Sequence, residues 1–109
     1  MGGPQLSEGA VSMADAETVD GHLVRDLLIT NKRGLHARAS AKFVQTVEGF
    51  DAEVEVTKDN QTVGGTSIMG LMMLAASPGT TIRVAAKGRQ AADALAAITT
   101  LVEAKFYEE

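Results

Sequence analysis

Leu27-Leu28-Ile29-Thr30-Asn31-Lys32-Arg33-Gly34-Leu35-His36-Ala37-Arg38-Ala39-Ser40-Ala41-Lys42-Phe43 is the stretch from which the rest of this 109-residue chain is best read. An apolar, β-rich run ends in a polar turn containing Gly34, and a helical pattern starts directly after a histidine. That places His36 at a helix start. Lys32, Arg33, Arg38 and Lys42 surround it, and no acidic residue lies between Asp26 and Glu48. The first-turn N–H groups of a helix have no partner within it, and the macrodipole adds partial positive charge, so an anion such as phosphate is favoured there. The same field disfavours imidazolium, by up to about 1 kcal/mol, so a neutral ring with a free lone pair is expected near pH 7. Two readings follow from the spacing. In one, His36 is a nucleophile toward phosphorus, and the dianion it acquires is held by the helix-start amides and Arg38. In the other, His36 only caps the helix or packs at a turn, and the basic residues form a solvated surface.

Outward from this stretch, residues 23–30 read as a strand with Leu27 and Ile29 directed to a core. The helix that follows, 37–48, puts Ala39, Phe43, Val44 and Val47 on one face and stops at Gly49. Residues 52–58 alternate, with Val54 and Val56 on the apolar side; Asp59-Asn60 is a hairpin turn, and 61–65 return as a short third strand. Ser67 is a favoured helix cap, and the apolar segment 68–76 behind it offers Leu71, Leu74 and Ala75 to the core. So apolar a helix is not fully enclosed by a domain of this size. Ile68, Met69 and Met72 are therefore read as an exposed docking patch rather than plain core, Met being adaptable at binding surfaces. After the turn 77–80 comes a fourth strand, Thr81–Lys87, with Ile82, Val84 and Ala86 on one face. The last helix, 90–107, carries Ala91, Ala94, Leu95, Ile98, Leu101 and Val102 at helical spacing. The order βαββαβα describes an α+β open-faced two-layer sandwich, a four-stranded antiparallel sheet with three helices on one face.

Composition narrows the function. The chain is long enough for one domain with a modest core, and it has no cysteine, which excludes disulfides and thiolate metal sites. Net charge is −4, unevenly placed: of fourteen acidic residues four (Glu8, Asp15, Glu17, Asp20) fall in residues 1–22, which hold no Lys or Arg, and ten face ten basic residues beyond. Residues 1–22, rich in Gly, Ser, Ala and acid, are expected to be a disordered extension, and 23–109 the domain. With only Phe43, Phe50, Phe106 and Tyr107 as aromatics and no broad basic surface, nucleic-acid binding is not expected. No apolar run approaches the ~20 residues of a membrane span and no secretory signal is visible, so a cytoplasmic protein without membrane insertion is expected. Neither a glycine-rich phosphate loop nor carboxylates at ligand spacing occur, so no cofactor and no metal are expected.

Gly34-Leu35-His36-Ala37-Arg38, followed about thirty residues later by Thr66-Ser67-Ile68-Met69-Gly70, closely resembles the histidine-containing phosphocarrier protein (HPr) family of the phosphoenolpyruvate-dependent phosphotransferase system. The resemblance runs from near Leu23 to the C-terminus with both motifs in the family's order and spacing. One departure is Ala39, where the family usually has proline, a residue suited to a first helical turn. The resemblance implies the same sandwich fold. It also implies a carrier, not an enzyme: His36 takes a phosphoryl group from phosphorylated enzyme I, Arg38 attends the phosphate, and an enzyme IIA protein receives it. Ser67 matches the family's regulatory serine, modified in some lineages by an HPr kinase/phosphorylase. Two other classes compete. An acyl carrier would use Ser67 for a phosphopantetheine arm, but Thr66 stands where such carriers have Asp, and the β-content is too high. A regulatory binding module would have the same surface and a silent His36.

Overall fold

The computed structural model describes residues 16–108. The elements are β1 (Glu17–Val19), β2 (His22–Leu28), α1 (Ala37–Glu48), β3 (Glu53–Lys58), β4 (Gln61–Gly64), α2 (Ile68–Met73), β5 (Thr81–Lys87) and α3 (Ala91–Glu103), closed by a 3-10 turn at Lys105–Tyr107. One antiparallel sheet holds the strands in the order β1-β2-β5-β3-β4. Helix α3 lies over β2 and β5, and α1 packs on both α2 and α3, so the helices form a single layer against one face of the sheet.

The side-chain period of two along each strand generates the core. Val54 and Val56 of β3 stand opposite Ala86 and Val84 of β5, and Ile82 of β5 stands opposite Leu27 of β2, all buried. Above them α1 supplies Ala39, Phe43, Val44 and Val47, and α3 supplies Ala94, Leu95, Ile98 and Val102. The opposite face is wet. There Asp26 and Arg83, cross-strand partners, form an exposed two-pronged ion pair at 2.9 and 3.4 Å. Val24 is the exception, a buried side chain outside the main core cluster.

Four strands and the βαββαβα order agree with the sequence reading; the fifth strand does not. The extension expected to be disordered over residues 1–22 instead contributes β1, which pairs Glu17 with Val24 and Val19 with His22. Asp20 and Gly21 both have positive φ, 51° and 81°, as a two-residue turn between twisted strands requires. All three β1 side chains are exposed, so no apolar alternation marked it. Residues 1–15 lie outside the described residues. The expected hairpin at Asp59-Asn60 forms in the same way, with φ of 50° and 68°.

Two helices are shorter than their apolar patterns. α2 ends at Met73 because Ala75 takes φ 53°, and Ala76 rather than Ala75 turns into the core. α3 ends at Glu103 instead of continuing to Tyr107, for Lys105, Phe106 and Tyr107 are all left-handed, at 57°, 57° and 58°. An L residue there costs roughly 1–2 kcal/mol, so the turn must be held by contacts from outside. Phe106 is fully buried, and the Lys42 ammonium donates to the Phe106 carbonyl at 2.7 Å. The reversal sends the chain back toward the start of α1.

The turn before α1 is held against the loop after α2. The Leu35 N–H donates to the Ala76 carbonyl at 3.0 Å, and Gly34 has φ +64°. A Cβ on Gly34 would lie 2.2 Å from that same carbonyl oxygen, a contact backbone cannot relieve cheaply. Gly34→Ala is expected to destabilise the fold by roughly 2–3 kcal/mol, read as a lower urea midpoint with an unchanged slope. A midpoint equal to that of the parent protein would show that this anchoring is dispensable.

Candidate functional site

His36 is the residue at which extended chain becomes helix. Its backbone is extended, φ −77° and ψ −177°, and its carbonyl accepts from the Ser40 N–H at 2.8 Å, the first helical bond of α1. Its ring takes the place usually filled by a Ser or Asp side chain: Nδ1 accepts from the Arg38 N–H at 3.2 Å. Two local features put it there. Gly34 turns the chain, with His36 N–H donating to the Gly34 carbonyl at 2.9 Å, and Leu35 is pulled into the core beside Ala76. The side chain retains 16% of its exposure, so the ring is flanked by protein yet open to solvent.

The other ring nitrogen faces a carboxylate. Nε2 bonds to Oε2 of Glu108, and Oε1 of Glu108 accepts from the Asn31 amide at 3.1 Å. Asn31 is itself buried and also donates to the Gly34 carbonyl at 2.8 Å, joining the turn before α1 to the C-terminal segment. With Nδ1 accepting an N–H and Nε2 facing a carboxylate, the network assigns the proton of the neutral ring to Nε2 and the lone pair to Nδ1. Burial pushes the Glu108 carboxyl up, but the hydrogen bonds from His36 and Asn31, with the charges of His36 and Arg33, outweigh it and leave the group below its ordinary value.

Lys32, Arg33, Arg38, Lys42 and Tyr107 complete a cleft of about 340 Å³ around His36 and Glu108. Lys42 is engaged with Phe106, whereas Lys32, Arg33 and Arg38 form no side-chain hydrogen bond or ion pair among the described residues. These cations give a local positive field at the helix start, offset in part by the Glu108 carboxylate, whose charged form Arg33 favours. An anion of phosphate size fits that chemistry. Ala39, at the place of the family's usual proline, directs its methyl group into the core. Among the described residues no three His, Cys, Asp or Glu side chains gather as a metal would need, and no helix is long and apolar enough to cross a membrane.

The family model for the PTS HPr component phosphorylation site matches residues 23–104. The chain belongs to the HPr family of the phosphotransferase system. The phosphocarrier protein HPr of Neisseria meningitidis is 51% identical over 86 residues, covering 79% of this chain and 97% of the relative. The phosphocarrier protein NPr of Shewanella violacea is 43% identical over 86 residues, 79% of this chain and 94% of the relative. Among solved structures, HPr from Thermoanaerobacter tengcongensis superimposes with a TM-score of 0.76 at 43% identity, covering 79% of this chain and 97% of that one.

The remaining residues singled out in the sequence lie at α2. Ser67 is exposed and caps that helix, its hydroxyl accepting from the Gly70 N–H at 2.9 Å. Ile68, Met69 and Met72 are exposed, Met69 the most so of the three at 68%, and Met73 joins them. The chain leaving α2 borders the His36 site, since Ala75, Ala76 and Ser77 line a hollow with Arg33, Leu35 and His36. Asn31 and Glu108 were missed in the sequence. Asn31 reads as a turn residue, and Glu108 follows a left-handed turn that no glycine announces.

Because the Glu108 carboxyl is lower in the folded protein than its ordinary 4.5, its pairing stabilises the fold above that value and is lost as pH falls through the lower folded value. In a carbon-detected NMR titration the Glu108 side-chain carboxyl should show its midpoint below 4.5. A midpoint at or above it would mean that the contacts with His36 and Asn31 do not persist in solution.

Proposed function

We propose that this chain is a phosphoryl relay of the phosphotransferase system in the cytoplasm: His36 accepts a phosphoryl group from phosphorylated enzyme I and hands it to an enzyme IIA protein. The observation that carries this reading is the ring at the helix start, with the lone pair of Nδ1 turned to the Arg38 amide and unpaired cations beside it. The Nδ1 lone pair forms the bond to phosphorus as the bond from phosphorus to its donor breaks. Phosphoryl transfer asks mainly for alignment and charge stabilisation. The helix-start amides and the Arg38 guanidinium supply the second.

The patch of Ile68, Met69 and Met72 is the docking surface in this reading, on the helix whose outgoing segment, Ala75 to Ser77, borders His36. Ser67 at its border is the regulatory position, open to an HPr kinase/phosphorylase. A phosphate there adds about −2 charge beside an apolar contact surface, opposing a partner while leaving a surface cap intact.

Incubation with enzyme I and labelled phosphoenolpyruvate should give an acid-labile, alkali-stable phosphate in the parent protein and none in His36→Ala. Label retained in that variant would remove His36 from the relay. Ser67→Asp should take up label more slowly with its melting temperature nearly unchanged; normal uptake by a destabilised variant would make Ser67 a structural cap only.

A further inference from the structure

The Glu108 carboxylate lies outside everything the relay reading above requires. It is nevertheless the most firmly placed charged group in the cleft. Its two oxygens have different partners, the Asn31 amide on one and the His36 ring on the other, and its side chain keeps only 18% of its exposure. Asn31 is buried and fixed to the Gly34 carbonyl, so the carboxylate is held from the same turn that sets the ring. The chain reaches this position only through three consecutive left-handed residues, 105–107, which buried Phe106 and the Lys42 bond keep in place. A conformation that L residues avoid is here maintained by several independent contacts, and what it delivers is one carboxylate to one ring nitrogen.

We infer that Glu108 is a positioning residue for phosphoryl transfer: by accepting the Nε2–H of His36 it fixes the tautomer that leaves Nδ1 nucleophilic, and it neutralises the charge the ring gains on attack. The inference rests on the relay reading. Atoms and charge balance without moving a proton. A neutral ring protonated at Nε2 attacks phosphorus through the Nδ1 lone pair, the Nδ1–P bond forms, and the bond from phosphorus to its donor breaks. The ring then bears a positive charge shared between its nitrogens, with the Nε2 proton still directed at the carboxylate. When the phosphoryl group passes on, the electron pair returns to Nδ1 and the ring is neutral again. A carboxylate opposite Nε2 favours the charged stage in both directions through a charge-assisted hydrogen bond. Lys32, Arg33, Arg38 and Lys42, the cations lining the cleft, would by themselves oppose that ring charge, so Glu108 is the group that offsets them.

The test compares the parent protein with Glu108→Gln, Glu108→Ala and Glu108→Asp. In the parent, ¹⁵N chemical shifts of the neutral His36 ring should report one tautomer, protonated at Nε2. In the Gln and Ala variants the Nδ1-protonated form should become populated, and single-turnover phosphoryl uptake from enzyme I should slow by about tenfold while the enzyme I concentration giving half-maximal rate stays the same. Glu108→Asp should recover part of both effects. Unchanged tautomer and rate in the Gln and Ala variants would overturn the proposal, and so would an altered tautomer with an unaltered rate. A parent protein that takes up no phosphoryl group at all would instead sink the relay reading, whatever its tautomer.

Discussion

The hydrogen bond from the Arg38 amide to Nδ1 of His36 joins backbone and chemistry at one point. Because an imidazole, and not a hydroxyl or carboxylate, closes the first turn of α1, the helix can start only where the ring is turned inward toward its amides. That orientation assigns the lone pair to Nδ1 and aims Nε2 away, to the place where Glu108 is found. A Ser or Asp at this position would cap α1 at least as well. Under the relay proposed above, the departure from the best cap has a reason, since an imidazole can both cap the helix and present a nucleophilic nitrogen.

The surrounding fold is arranged to keep that junction rigid. Leu35 is buried immediately before His36 and Ala39 three residues after it, so the ring hangs between two core anchors spaced four residues apart. Gly34 lets the turn lie against the Ala76 carbonyl, which couples the ring to the loop leaving α2. The segment leaving α2 and the ring of His36 in this way line one hollow, through Ala75, Ala76 and Ser77.

Much of this could be read in the chain itself. Helix α1 runs from Ala37 to Glu48 as its apolar stripe indicates, because Phe43, Val44 and Val47 form an unbroken face between a histidine and a glycine. The β3–β4 hairpin and β5 follow from alternation and turn residues alone. His36, Arg38, Ser67 and the α2 patch stand out in the sequence through motif and spacing, which are local properties, and the structure places the first two at the start of α1 and Ser67 at the cap of α2. What escaped the reading either buries no side chain or depends on contacts distant in sequence. β1 has the strong Asp-Gly turn signal but no buried side chain, so the acidic composition around it was the louder signal. The apolar pattern of α3 continues to Phe106, and nothing local reveals that this ring is buried by a left-handed reversal. Glu108 and Asn31 are 77 residues apart and meet only through that reversal.

A relay through His36 requires phosphorus on one particular ring nitrogen and one particular amide to receive its charge. Two-dimensional NMR of the ¹⁵N-labelled, phosphorylated protein decides both, through the phosphorus–nitrogen coupling in the ring and the amide spectrum of α1. The coupling should fall on Nδ1 of His36, and the Arg38 amide proton should move strongly downfield as its acceptor changes from a ring nitrogen to a phosphoryl oxygen. Coupling on Nε2, with the Arg38 amide where it was before phosphorylation, would contradict the account.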